Sequence, residues 1–113
     1  MMQKEVIAIF DIGKTNKKFL LFDKELKIVH EAEQKFDEIL DDDGFACDDI
    51  ERIENWMKEC VSGVILQNKF TIKALNFATY GASLMYLDKN GKRTYTCLQL
   101  PETYARRCSD GFL

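Results

Sequence analysis

Two apolar segments near the start of the chain are separated by a connection so short that it favours a tight turn. The first is EVIAIFD, residues 5–11, and the second is KKFLLFD, residues 17–23. Continuous apolar runs of this length predict strands covered on both faces, although a short buried helix would give the same pattern. Only Ile12 to Asn16 lie between the two runs, and Gly13 is among them. The pattern therefore predicts a β-hairpin.

The segment after the hairpin predicts a third strand and then a loop. LKIVHEAEQKF, residues 26–36, is more polar than the first two runs, as expected of a strand at the edge of a sheet. DEILDDDGFAC, residues 37–47, has no periodic pattern. Three consecutive acids, Asp41 to Asp43, cannot all face one ion, and no ligand spacing follows them. We therefore interpret the segment as a solvated acidic loop.

From residue 48 the apolar spacing changes to three and four residues, which predicts a helix. Asp48 can cap its first turn, Glu51 completes a capping-box-like start, and the helix should end near Gln67 and Asn68. The residues of the predicted apolar face are Ile50, Ile53, Trp56, Met57, Cys60, Val61, Val64 and Ile65.

A further strand is predicted at residues 71–78, followed by a turn at Asn90-Gly91 that should lead into a hairpin partner. A helix between strands indicates a crossover that makes the fourth strand parallel to one of the first three. The order of elements is typical of part of an α/β domain with a mixed sheet. Such a sheet needs helices on both faces, and only one is predicted.

Composition narrows the classes of function. The chain of 113 residues is one domain at most, and its net charge of −3 argues against a nucleic-acid-binding protein. No apolar run is long enough for a signal peptide or a membrane span. The cysteines, at positions 47, 60, 97 and 108, contain no C-x-x-C pair. We expect a soluble cytoplasmic protein with buried or half-buried free thiols.

Gly13-Lys14-Thr15 has the ending of a nucleotide-binding P-loop, but its neighbours do not fit. The pattern G-x-x-x-x-G-K-[ST] would need a glycine at position 8, where the chain has Ala8. It would also need a helix after the loop, and a strand-like run follows instead. We therefore reject the P-loop.

A tight hairpin offers another way to hold an anion, because the N–H groups of its turn can converge. Gly13 permits close approach of the backbone, and Thr15 and Asn16 add neutral donors. The cations within five residues are Lys14, Lys17 and Lys18. Asp11 can hold magnesium through water, an arrangement that suits phosphoryl transfer. An ordinary lysine-rich hairpin is the alternative.

Two stretches resemble one family. VIAIFDIGKTNKKFLLFD resembles the first phosphate motif of the FGGY carbohydrate kinases, in the sugar kinase, Hsp70 and actin superfamily. IKALNFATYGASLMYLDKNG resembles the next landmark of that family, a strand, a sugar-contacting turn and a second strand. The resemblance covers residues 5 to about 92. It implies a ribonuclease H-like fold with three antiparallel strands followed by parallel ones.

The resemblance implies a role for each matching residue. Asp11 would orient the complex of Mg²⁺ with phosphate. The residues that would embrace the β- and γ-phosphates of ATP are Gly13, Lys14, Thr15, Asn16 and Lys17. Those that would border the sugar pocket are Thr79, Tyr80 and Gly81, although Tyr80 could instead simply pack at a strand end. The substrate would be a small ketose or polyol, phosphorylated on a hydroxyl.

Kinases of this family are several times longer. Their adenosine site and general base lie beyond 113 residues, so we expect no catalytic residue here and no activity from this chain alone. We expect residues 1–92 to be a partial N-terminal kinase domain. The alternative function is a non-catalytic module that associates with itself, as a homo-oligomer, through exposed sheet surface. An actin-like or Hsp70-like role is a weaker option, because the turn around Tyr80 resembles a sugar-site landmark.

The tail, residues 93–113, does not resemble the family, and we expect a shift of reading frame near Lys92 to be the reason. One choice of codons for Arg93 to Leu113, read from its second nucleotide, encodes VLTPVYNYLKPMPED, a plausible family continuation. Sequencing the DNA across the codons for Asn90 to Leu113 tests this. We expect a one-nucleotide shift to open a long frame that begins with this peptide. An intact short frame, without a longer product, would contradict the hypothesis.

Overall fold

The computed structural model describes residues 3–81, 85 and 87–93. The elements in chain order are β1 (Lys4–Ile12), β2 (Asn16–Phe22), β3 (Ile28–Lys35), β4 (Ile39–Leu40), β5 (Ala46–Cys47), α1 (Ile50–Gln67) and β6 (Phe70–Thr79). They belong to two compact units. The first is formed by residues 3–35 and 52–80, and the second by residues 36–51 and the described residues from 81 onward.

The first unit is built on a four-stranded sheet with the order β3-β2-β1-β6. β1 pairs antiparallel with β2, which pairs antiparallel with β3. β1 pairs parallel with β6 on its other edge. The predicted hairpin, the third strand at an edge and the parallel strand after the helix are therefore confirmed.

Helix α1 covers one face of this sheet, and the core lies between them. The buried core residues are Val6, Ala8, Phe10, Phe19, Leu21 and Val64. Aromatic rings form its centre. Phe10 contacts Phe19 at a centroid distance of 4.7 Å, Trp56 at 5.9 Å in an edge-on arrangement, and Phe77 at 5.5 Å in a stacked one. These four rings come from β1, β2, α1 and β6.

Burial alternates along β1, so the prediction that both faces are covered is wrong. Val6, Ala8 and Phe10 are at most 2% exposed, whereas Ile7 is 38% exposed and Ile9 is half-buried. An apolar run shows that both sets of side chains favour burial, but it does not show what packs against each set. α1 packs against the face that carries Val6, Ala8 and Phe10.

Helix α1 uses most, but not all, of its predicted apolar face. Ile53 and Val64 are buried, and the half-buried residues packed against the core include Trp56, Met57, Cys60 and Val61. Ile65 is 63% exposed, contrary to the prediction. It follows Val64 directly, and one residue turns a helix by about 100°, which carries Ile65 away from the sheet. Asn68 ends the helix with φ of 57°, and its N–H donates to the Ile65 carbonyl at 3.2 Å.

In the second unit, the predicted loop 37–47 contains the short hairpin of β4 and β5. Asp41 builds its turn, because its Oδ1 accepts hydrogen bonds from the N–H groups of Asp43 and Phe45 at 2.9 and 2.8 Å. A second turn lies at residues 88–92, where Gly91 has φ of 81°. Asp88 Oδ1 accepts from Asn90 and Lys92 there. An antiparallel bridge joins Leu87 to Arg93, and any strand beyond residue 93 lies outside the described residues.

The cysteines differ from one another. Cys60 is a half-buried free thiol, and its burial raises its pKa. Cys47 is buried and disulfide-bonded, so the expectation of free thiols is wrong at this position. Spacing along the chain excludes only close C-x-x-C pairs and says nothing about cysteines that folding brings together. Cys97 and Cys108 lie outside the described residues.

The turn between β1 and β2 depends on a glycine. The Gly13 N–H donates to the Asn16 carbonyl at 3.0 Å. A Cβ atom at position 13 would lie 2.8 Å from that carbonyl oxygen. Since such contacts are below normal van der Waals separation, any other residue would push the two sides of the turn apart.

Neighbouring helix positions test the packing of α1 against the sheet. Val64 is 1% exposed and Ile65 is 63% exposed. We expect Val64→Ala to lower the free energy of unfolding by about 2 kcal/mol through lost burial and a residual cavity. Ile65→Ala should change it by less than about 0.5 kcal/mol. Urea unfolding followed by circular dichroism measures both, and equal losses would contradict the assigned face.

Two glycines test the turn. Gly13→Ala should lower the free energy of unfolding by about 1–3 kcal/mol, because the new Cβ overlaps the Asn16 carbonyl. Gly63→Ala is the matched control, since beyond its chain neighbours and the adjacent backbone of α1 no atom lies within 4 Å of its Cβ position. It should raise the free energy of unfolding by about 0.5–1 kcal/mol through helix propensity. A neutral Gly13→Ala would show that the turn is not tight.

Candidate functional site

The predicted phosphate turn and the end of the predicted sugar strand lie at the same end of the sheet, where β1 and β6 finish. β1 ends at Ile12, which pairs with Thr79 at the end of β6. The Tyr80 N–H then donates to the Ile12 carbonyl at 3.2 Å. Gly13 follows Ile12 directly, so one main-chain hydrogen bond ties the start of the turn to the residue after β6.

The turn exposes two side chains to solvent, and one of its backbone N–H groups is hydrogen-bonded within the turn. Lys14 and Thr15 are exposed, and both are available to a ligand. The Gly13 N–H, in contrast, is already used within the turn by the Asn16 carbonyl. The N–H groups that can converge on an anion therefore do not include that of Gly13 while the turn is closed.

Asp11 and Lys17 lie on opposite faces of the sheet. Asp11 is exposed and is paired with the half-buried Lys18 across the β1–β2 hairpin. Lys17 pairs with Ile12, which pairs in turn with Thr79, so these three share the face on which α1 packs. The sequence placed the three lysines together, and the structure separates them between an exposed turn and two faces.

Lys17 is the most buried of the predicted site residues. It is 1% exposed, and its Nζ donates to the Lys14 carbonyl at 2.9 Å. Asn16 is half-buried, and its Oδ1 is a buried acceptor for which the described structure provides no hydrogen-bond partner. A buried acceptor of this kind is costly unless a donor reaches it.

The remaining sugar-side residues differ in burial. Thr79 is exposed and Tyr80 is half-buried, while Gly81 is exposed and begins the part of the chain that belongs to the second unit. Sequence reasoning missed the role of Ile12. Its carbonyl fixes Tyr80 beside the turn, and no side-chain pattern could have revealed a main-chain contact.

The carboxyl groups with shifted pKa values lie at the other end of the sheet. A hydrogen bond from the Lys24 ammonium lowers the pKa of Glu5, and the Lys27 N–H lowers the pKa of Asp23. Both acids line an open depression of about 400 Å³ near the start of β1. Asp23 holds the β2–β3 turn there by accepting from the N–H groups of Glu25 and Lys27. We attribute these shifts to turn formation and an exposed ion pair.

The described residues set two limits on the kind of site. No three His, Cys, Asp or Glu side chains among them are grouped closely enough to hold a metal ion by themselves. None of the helices in residues 3–81, 85 and 87–93 combines the length and apolar character of a membrane span.

Solved structures share the fold. Gluconate kinase from Lactobacillus acidophilus aligns with a TM-score of 0.74 and 20% identity, covering 97% of this chain and 22% of that one. Ligand-bound xylulose kinase from the same organism aligns with a TM-score of 0.72 and 20% identity, covering 96% of this chain and 21% of that one. Glycerol kinase from Plasmodium falciparum with ADP aligns with a TM-score of 0.67 and 24% identity, covering 86% of this chain and 20% of that one. The predicted ribonuclease H-like α/β fold is confirmed.

The chain spans about a fifth of the length of these solved structures. No curated protein shows a significant sequence match. Residues 6–107 match the model of the N-terminal domain of the FGGY family of carbohydrate kinases. The matched range continues past residue 92, where the resemblance was expected to end. Because this match to their N-terminal domain includes most of the chain, the protein belongs to the FGGY family of carbohydrate kinases.

Proposed function

We propose that this chain supplies the phosphate-binding start of an ATP-dependent carbohydrate kinase. The whole kinase transfers the γ-phosphate of ATP to a hydroxyl of a small ketose or polyol. The observation that carries the proposal is the hydrogen bond from the Tyr80 N–H to the Ile12 carbonyl at 3.2 Å. It ties the predicted sugar-side strand end to the predicted phosphate turn, and phosphoryl transfer requires both substrates at one place.

The phosphate side of the site has one exposed cation and one exposed carboxylate. The Lys14 ammonium and the Thr15 hydroxyl project from the turn and suit the β- and γ-phosphates. Asp11 is a single carboxylate, which fits magnesium held through water while phosphate oxygens supply other ligands. The buried Asn16 Oδ1 also fits hydrated magnesium, because it can accept a hydrogen bond from a magnesium-bound water.

Thr79, Tyr80 and Gly81 border the sugar in this proposal. The backbone of Thr79 and Tyr80 is held beside the turn by their pairing with Ile12, so a hydroxyl bound at these two residues would lie near the transferred phosphate. The solved structures that share the fold are named for gluconate, xylulose and glycerol. All three are small polyhydroxy compounds, and one of the structures holds ADP. These names support a small polyhydroxy acceptor and an adenine nucleotide.

The proposed reaction needs groups that this chain does not supply. A general base must accept the proton of the attacking hydroxyl, and a closing cleft must hold the adenosine and exclude water. In our proposal these groups belong to the other four-fifths of a full-length kinase. The chain alone would then bind phosphate groups without turnover. In our proposal the whole kinase works in the cytoplasm.

Self-association without nucleotide binding is the second candidate function. Within the described residues β6 is paired along one edge, with β1. Leu75 and Phe77 on this strand are 41% and 52% exposed. Large apolar side chains on a long edge strand favour pairing with another copy of the chain.

Titration of the full 113-residue chain with magnesium tripolyphosphate tests the proposed function. The probe has the three phosphates of ATP without adenosine, whose site is expected elsewhere. We expect Lys14→Met to weaken binding by about tenfold or more, the usual cost of one charge-assisted hydrogen bond. Asp11→Asn should remove the dependence of binding on magnesium. Amide shifts by NMR report both the affinity and the residues affected.

Lys24→Met is the matched control for charge. This variant also removes one lysine ammonium, but from the opposite end of the β1–β2 hairpin, where Lys24 forms an ion pair with Glu5 at 3.1 Å. We expect it to change affinity by less than about twofold, because exposed charges far apart are screened. Equal losses in the two lysine variants would contradict a site at the turn. Analytical ultracentrifugation measures self-association. A chain that sediments as an oligomer and does not bind the probe would favour the second candidate function.

A further inference from the structure

Lys17 occupies an unusual place for a residue expected to hold phosphate. Its side chain is 1% exposed on the face that α1 covers, whereas Lys14 is exposed. Burial of a lysine ammonium is unfavourable unless polar groups compensate for the lost water. The Nζ atom donates to the Lys14 carbonyl at 2.9 Å, three residues back along the turn.

This hydrogen bond sets the orientation of one peptide plane in the turn. In a trans peptide the carbonyl of one residue and the N–H of the next point in roughly opposite directions, and the described chain has no cis peptide. Since the Lys14 carbonyl points at the buried Nζ of Lys17, the Thr15 N–H points away from it. Rotation of this peptide would break the contact and leave a buried ammonium with one partner fewer.

The direction of the Thr15 N–H is therefore fixed by the hydrogen bond between the Lys17 Nζ and the Lys14 carbonyl. The Gly13 N–H is committed to the Asn16 carbonyl at 3.0 Å, so it cannot serve a ligand while the turn is closed. The Thr15 side chain is exposed beside its own N–H. A phosphate oxygen that meets this residue finds a hydroxyl and an oriented amide together.

We propose that Lys17 is a positioning residue, which orients the Lys14–Thr15 peptide so that the Thr15 N–H faces the phosphate, and that its ammonium does not contact phosphate. This inference rests on the proposed phosphate role of the turn. It assigns different roles to three neighbouring lysines. Lys14 binds, Lys17 positions, and Lys18 lies across the hairpin from Asp11.

Chemical labelling of the unmodified 113-residue chain is the first test. Acetylation of lysines, read residue by residue by mass spectrometry, reports how accessible each ammonium is. We expect Lys17 to react at least about tenfold more slowly than Lys14, as burial requires. Magnesium tripolyphosphate should protect Lys14 and leave the rate at Lys17 unchanged. A Lys17 that reacts as fast as Lys14 and is protected by the probe would be a direct ligand, which would overturn the proposal.

Substitution separates positioning from charge. Lys17→Met removes the ammonium and retains a long apolar side chain, while Lys18→Met removes the neighbouring ammonium without touching the Lys14 carbonyl. We expect Lys17→Met to speed amide exchange at Gly13 by about tenfold or more, because the turn opens locally. Exchange at Phe10 and Phe19 should stay unchanged. Lys18→Met should leave exchange at Gly13 unchanged, and Lys17→Arg should restore part of the protection.

The outcomes divide clearly. Faster exchange confined to the turn in Lys17→Met, with a shifted Thr15 amide resonance and weaker tripolyphosphate binding, supports the proposal. Weaker binding with unchanged turn exchange would overturn it in favour of a direct contact, and unchanged values of both would overturn any role. If Lys17→Met does not fold, the labelling rates decide. A wild-type chain that fails to bind tripolyphosphate would refute the proposed function, while exchange at Gly13 would still report whether Lys17 sets the turn.

Discussion

The packing of Phe10 holds the first unit together, because its ring contacts one ring from each of β2, α1 and β6. Phe19 of β2, Trp56 of α1 and Phe77 of β6 lie at centroid distances of 4.7, 5.9 and 5.5 Å. β1, which carries Phe10, is hydrogen-bonded on both edges. Aromatic contacts and buried area of this kind contribute more than any exposed ion pair of the hairpin.

This cluster also determines where the candidate site is built. Asp11 follows Phe10 directly, Lys17 precedes Phe19 by two residues, and Thr79 follows Phe77 by two. A shift of any of the three rings would therefore move a residue of the site. The turn itself projects beyond the core, with Lys14 and Thr15 exposed. The arrangement combines a rigid platform with an accessible loop, which is how binding residues are usually presented.

Most of the fold was predictable, since the hairpin, the edge strand, the helix and the parallel β6 each have a local pattern in the sequence. The errors share one cause. Ile7 and Ile65 are apolar but exposed, and Cys47 is disulfide-bonded, because apolar character and spacing do not identify the partner of a side chain. For the site, the sequence indicated the turn and the residues after β6, but it gave Lys14 and Lys17 the same phosphate-binding role.

The sequence by itself determined the order of strands and helix, the tight turn at Gly13 and the match to the FGGY family over residues 6–107. These features depend on periodicity, on the absence of a side chain and on local motifs, all of which are written along the chain. Only the tertiary structure decided that Tyr80 is hydrogen-bonded to Ile12 and that Lys17 is buried beneath the turn. The physical reason is that parallel pairing and burial depend on residues far apart in sequence, which only packing around Phe10 brings together.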